Sequence, residues 1–346
     1  MESSDVLAES PSPIGVVFWL SVRDVSLWAQ TEPGDRPHLF ADGASSARLR
    51  YITETVEDSA LASYLSIIAA MVGVPESVTA SGIAVACSDA AGWAAAHGLP
   101  RTALAFHQAA ALVDPSEPSA PLQAGLSAAA VGDLQRAETW LRHAIGVARR
   151  ARERTVYALA AASLSRILLE AKRGEDAELQ AYKGLRAARR AACGEARGEA
   201  LYVLFRRARD DGRDSEADRL AAAAARVLGR LRHHLLPFLL IDVARSLLDR
   251  EEATRAYAIL TSMPTLPQDH FLVAAKWALR CRLFAVTGDR EKFAACWSTA
   301  WETIRHLPKH APSTLVFDDL VSAALRAGDR RRQDRITRLR QARGGG

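Results

Sequence analysis

The chain has 346 residues, 49% hydrophobic and 25% charged, with aromatics at only 6%. These proportions suit a globular protein long enough to bury a sizeable core, and the near absence of alternating β-branched runs excludes a large sheet. The net charge of +5 is unevenly spread: residues 1–100 carry 4 basic and 12 acidic side chains, residues 101–346 carry 41 and 28. Nearly all the basic charge is Arg, with five Lys. A nucleic-acid reader would show a one-sided basic patch interleaved with aromatics or a known module, and neither is evident, so nucleic acid is not the expected partner.

Residues 1–12 are polar and Ser-rich and are expected to be a disordered tail. Their acidic start, without a positive n-region, does not look like a secretory signal. Pro13–Gln30 has helical apolar spacing, and Thr31–Ser46, with its Pro, Gly and Asp, reads as a loop. Helical pattern resumes near Arg48. Ser59–Val74 predicts a further helix closed by Pro75, too short and too interrupted to span a bilayer. Residues 13–82 are thus expected to be a helical N-terminal region. Its acidic balance suits a cap or plug against the basic remainder.

From Ile83 onward turn signals recur at Gly98, Gly132-Asp133, Gly174, Gly212, Asp249, Gly288-Asp289 and Gly328-Asp329. The steps are 34, 42, 38, 37, 39 and 40 residues. Each step holds two helical stretches, which makes residues 83–343 an α-solenoid of about six to seven antiparallel helical hairpins. The fold class is all-α, a solenoid with a helical N-terminal extension.

Two blocks carry a finer pattern. Gly125 lies seven residues before Gly132, and Ala137, Leu141 and Ala144 follow it by five, nine and twelve. The preceding block repeats this with Ala91, Gly98, Ala103, His107 and Ala110, ending at Pro115. Near Gly288 the pattern keeps Trp277, Cys281, Trp297 and Ala300 but has Phe293 where Ala is expected. Around Gly174 the register shifts by about two residues, and Phe205 takes the small position before Gly212. In these residues the chain resembles the tetratricopeptide repeat over roughly residues 84–343. The resemblance implies a right-handed superhelix whose first helices line a concave groove, a surface that members of this family use to grip a partner's extended segment or its C-terminal carboxylate.

Catalytic and cofactor signatures are absent: no G-x-G-x-x-G, P-loop, G-x-S-x-G or H-E-x-x-H occurs. His306 and His310 straddle Pro308 at a helix end, His233 and His234 sit at a boundary, and His107 falls on an interhelical face as a packed or hydrogen-bonded core residue. The scattered Cys87, Cys193, Cys281 and Cys296 read as small apolar residues in a reducing compartment, hence a cytoplasmic protein. No enzyme, metal or cofactor is expected. Arg149, Arg150, Arg152, Arg154, Arg186, Arg189, Arg190, Arg226, Arg230 and Arg232 cluster near the ends of second helices, where cations complement the helix dipole. The eight arginines over 326–343 read as a solvated capping helix.

Arg166, Arg206, Arg245 and Arg282 recur at spacings of 40, 39 and 37 residues. Each follows the small position of a first helix. They form a candidate partner-binding ladder, with Tyr202 nearby, suited to carboxylates. The competing structural reading is local pairing with Glu170, Asp210 and Asp242. The expected function is a protein-interaction scaffold binding a partner peptide or helix, possibly acidic. The alternative is a ligand- or peptide-responsive regulator of a transcription or signalling partner. The sequence leaves the oligomeric state open.

Overall fold

In the computed structural model, residues 4–36, 39, 51, 52, 54–73, 78–263, 270–307 and 314–344 are described. Among them the regular structure is helical, with no strand. The N-terminal helices are α1 (Ser4–Glu9), α2 (Pro13–Gln30) and α3 (Ser59–Gly73). Seven hairpins come after them: α4/α5 (Ala80–Ala96, Pro100–Val113), α6/α7 (Ser119–Ala130, Leu134–Ala151), α8/α9 (Arg154–Glu170, Gly174–Arg190), α10/α11 (Gly194–Asp210, Asp214–Arg230), α12/α13 (Leu236–Asp249, Ala253–Ser262), α14/α15 (His270–Val286, Arg290–Arg305) and α16/α17 (Thr314–Arg326, Arg330–Gly344). The chain divides into two compact units, Met1–Val203 and Leu204–Gly346, with the division inside α10.

The turns explain the period. Gly132 (φ 83°) ends α6, since a residue without Cβ reaches this left-handed region without steric cost. The next residue, Asp133, accepts from the N–H of Arg136 at 2.9 Å and caps α7. Asp289 and Asp329 cap α15 and α17 in the same way. Each Gly-Asp pair therefore stops one helix and starts the next. The connections between hairpins use the same backbone geometry without glycine: Arg152, Ala192 and Arg232 have φ of 60°, 52° and 50°. In each, an N–H reaches back five residues, as Glu153 does to the Ala148 carbonyl at 2.9 Å. At Gly174 the left-handed residue is Lys172, two positions earlier, which is the register shift seen in the sequence.

The small position also has a visible cause. A Cβ on Gly125 would lie 2.7 Å from Leu141 Cγ, so glycine is what lets α6 and α7 approach. First helices are buried over most of their circumference: α8 buries Ala158, every residue from Ala160 to Ser165, and Ile167–Leu169. Second helices from α7 onward bury one stripe, as α11 does with Ala217, Ala221, Ala224 and Leu228, whereas α5 buries every residue from Thr102 to Ala111.

Two expectations are corrected in the first unit. Residues 4–9 of the supposed disordered tail form α1, because Val6 is buried and Glu9 accepts from the N–H groups of Arg101 and Thr102 and from the Thr102 hydroxyl at 2.7–2.9 Å. Residues 1–3 lie outside the described residues. Nor do residues 13–82 stand apart from the first hairpin. Phe18 meets Phe106 edge-on at 5.8 Å, and Val17, Val25, Leu61 and Ile83 share one core with Ala91 and Ala110. This is a cap, built into the first hairpin. Pro75, Arg48, Pro308 and His310, and residues 37, 38 and 40–46 of the expected loop Thr31–Ser46, lie outside the described residues.

The second unit has its own core, from Ile241 through Leu279, Trp297 and Phe317 to Ile336. The basic helix α17 is held on it through Ile336 and through guanidinium–ring contacts, Arg335 over Trp301 at 3.8 Å and Arg332 over Phe293 and Trp297 at 5.1 and 5.3 Å. No helix among the described residues is long and apolar enough to cross a membrane.

Candidate functional site

The repeat register places Arg166 on α8, Arg206 on α10, Arg245 on α12 and Arg282 on α14, all first helices, as the spacing required. Their surroundings decide what they can do. In the first unit, Arg166 donates to Glu199 at 2.8 Å and to Glu170 at 3.1 Å, while Ser163 donates to the other Glu199 oxygen at 2.9 Å. Burial opposes the Arg166 charge, but Glu199 and Glu170 outweigh it and hold the guanidinium pKa above its usual value.

In the second unit the arginines join a chain of alternating charges. Asp319 on α16 is 3% exposed and is gripped from two sides. Arg245 donates Nε and Nη2 to its Oδ2 at 3.1 and 3.0 Å, and Arg282 donates Nη1 to its Oδ1 at 2.8 Å. Arg245 also donates to Asp242 at 2.8 Å, and Arg282 to Asp249 at 2.7 Å. Arg206 and Arg209 stand 3.8 and 3.7 Å from Asp242, and Arg209 pairs with Asp210 at 2.7 Å. Four guanidinium groups thus face four carboxylates, and the ladder carries no excess charge. Burial pushes the Asp319 carboxyl up, against the pull of Arg245 and Arg282. On Arg245 burial acts against the charge, yet Asp319 and Asp242 leave its pKa raised. We read the cluster as ionised, since both Asp319 oxygens accept from guanidinium groups.

Pairing with Glu170 and Asp242 occurs as the structural reading expected. Asp210 goes instead to Arg209. Tyr202 is 5% exposed, its body packed inside. Sequence reasoning missed Glu199, Asp249 and Asp319. A signal existed for Asp319: it lies 37 residues beyond Arg282, one repeat, so it comes up beside it on the next first helix.

Other inter-hairpin pairs keep the same beat. Arg173 reaches Glu138 at 2.9 Å, and Asp218 accepts from Arg250 at 2.7 Å and Arg255 at 2.9 Å, over separations of 35, 32 and 37 residues. His107 is packed in the core with Nδ1 lacking a hydrogen-bond partner among the described residues, and burial lowers its pKa to about 4.

Neither a protein-family model nor a curated protein matches the sequence. Solved structures do match. Aspartyl phosphate phosphatase F from Bacillus subtilis aligns at 11% identity over 94% of this chain and 93% of its own, with a TM-score of 0.57. A tetratricopeptide repeat protein from Parabacteroides merdae aligns at 14% identity over 81% and 99%, with a TM-score of 0.53. A Rap protein complexed with competence and sporulation factor aligns at 10% identity over 93% and 99%, with a TM-score of 0.51. At 10–14% identity these likenesses show the fold alone, a solenoid of tetratricopeptide-repeat-like helical hairpins.

Proposed function

We propose that the chain is a non-catalytic interaction scaffold that binds a partner protein or peptide on the first-helix faces of its hairpins. The observation that carries this reading is the tandem-hairpin fold, shared with a Rap protein solved in complex with competence and sporulation factor. The Bacillus subtilis phosphatase lends the fold alone at 11% identity. The four cysteines are free, which suits a reducing compartment and a cytoplasmic protein.

The charge pairing refines which residues meet a partner. Arg245 and Tyr202 hold the fold, since neither is open to solvent. Arg166 and Arg282 can exchange partners, because one carboxylate on each is exposed: Glu170 at 37% and Asp249 at 55%. On either unit an acidic partner segment takes over the exposed pairing, while Glu199 on the first and Asp319 on the second keep theirs. Arg206, 26% exposed, is the third contact. The test is affinity capture with the full chain, then titration of each captured partner against Arg166→Ala and Arg282→Ala. At least one variant should weaken binding tenfold or more. Unchanged affinity in both moves the interface off these faces. A chain that binds no protein or peptide yet turns over a substrate ends the scaffold reading.

A further inference from the structure

A second set of arginines is in the opposite condition. Arg149 in the last turn of α7, Arg152 in the turn, Arg154 at the start of α8 and Arg190 at the end of α9 line one recess of about 680 Å³, together with Ala148, Ala187, Tyr157 and Glu153. All four arginines are exposed. Among the described residues none of the four side chains makes a hydrogen bond or ion pair within the protein; the one side-chain interaction is Arg149 standing 5.9 Å from the Tyr157 ring centre. Set against the single carboxylate of Glu153, the lining carries a net charge of +3. A position near helix C-termini explains why cations are tolerated at Arg149 and Arg190. It does not explain why arginines from three consecutive helices face one concavity with a single carboxylate among them, when Arg166, Arg245 and Arg282 are each held by two.

We propose that this recess is a binding site for a small phosphate-bearing molecule with two or more phosphoryl groups. The volume falls within the range of small-molecule sites, roughly 300–1,000 Å³, and is a single recess rather than a track for an extended chain. Guanidinium forks match phosphoryl oxygens in pairs, so four of them satisfy more than one phosphoryl group. Ala148, Ala187 and the Tyr157 ring supply an apolar wall for the body of the ligand, and the Tyr157 hydroxyl supplies a further donor. The site is separate from Arg166: Arg154 and Arg166 are twelve residues apart on α8, about 18 Å along its axis.

The test uses the full chain and isothermal titration with inorganic pyrophosphate, ATP and adenosine at low and physiological salt. Pyrophosphate and ATP should bind at one site per chain, with ATP tighter and adenosine negligible. Arg152→Gly with Arg190→Ala should weaken both at least tenfold. Glycine is chosen at 152 because that residue has φ 60°, and Arg149→Gln with Arg154→Gln provides an independent variant should the first misfold. The control Arg226→Ala with Arg230→Ala removes the same charge from α11 and should change affinity less than twofold. The proposal fails if the wild type binds neither phosphate compound, if recess and control variants lose affinity equally, or if a polyglutamate peptide binds the recess and pyrophosphate does not.

Discussion

Arg245 and His107 are buried ionisable groups with opposite fates. Arg245 is 8% exposed and clasps Asp319 and Asp242. Removing one member leaves uncompensated buried charge, which typically costs about 3–5 kcal/mol. Arg245→Ala and Asp319→Ala should each lose stability on that scale in chemical denaturation. Arg245 is thereby committed to the fold, where the sequence alone placed it in the candidate partner-binding ladder. The register of the arginines was legible because it tracks the repeat. Their neutrality was not, since Glu199 comes from the next hairpin, 33 residues on, and Asp319 from the second hairpin on, 74 residues away. His107 is held uncharged instead. Its folded pKa of about 4 lies below the ordinary 6.5 because burial disfavours the imidazolium. Below pH 6.5 the unfolded chain takes up a proton that the folded chain refuses. This contribution is therefore complete above pH 6.5 and is lost as pH falls toward 4, on the order of 3 kcal/mol in all. Denaturation midpoints measured from pH 7.5 to 4.5 should fall more steeply for wild type than for His107→Leu.

At the scale of the element, the turns were half legible. Glycines announced five of the seven turns within hairpins, because glycine adopts their φ without cost; Lys172 and Glu251 take that conformation in the other two. The turns between hairpins were silent, as Arg152, Ala192 and Arg232 occupy the same conformation against a steric penalty. Relieving that penalty should outweigh the added chain entropy of glycine. Ala192→Gly is expected to stabilise by about 0.5–1 kcal/mol, read from the denaturation midpoint at constant slope. Gly125→Ala should do the reverse, by about 1–3 kcal/mol, because its Cβ meets Leu141. The capping role of Asp133 went unread although its Gly-Asp dipeptide was visible, and Asp133→Ala should cost about 1 kcal/mol.

For the molecule as a whole, the sequence conveyed the fold class but not its partition. Turn signals recurring from Ile83 suggested a boundary there, whereas apolar contacts run unbroken from Val17 to Ala120 and the compact units divide inside α10. Apolar residues at helical spacing do not announce which neighbour they will cover. Each unit has its own core, so hydrogen exchange on Asp319→Ala should show lost protection across α12 to α16 with α2 to α5 unchanged. Uniform loss over both would mean that the two units open together.

The Asp319 clasp limits how this protein can change length. Helical repeats are often treated as interchangeable modules in which each touches only its neighbours. Here a carboxylate on α16 is shared between arginines one and two hairpins earlier, α14 and α12, so three successive modules are spelled together. Excising or duplicating the α14/α15 hairpin would leave a buried acid or a buried guanidinium without its counterpart even if every apolar surface still matched. In this stretch the number of repeats is fixed by charge.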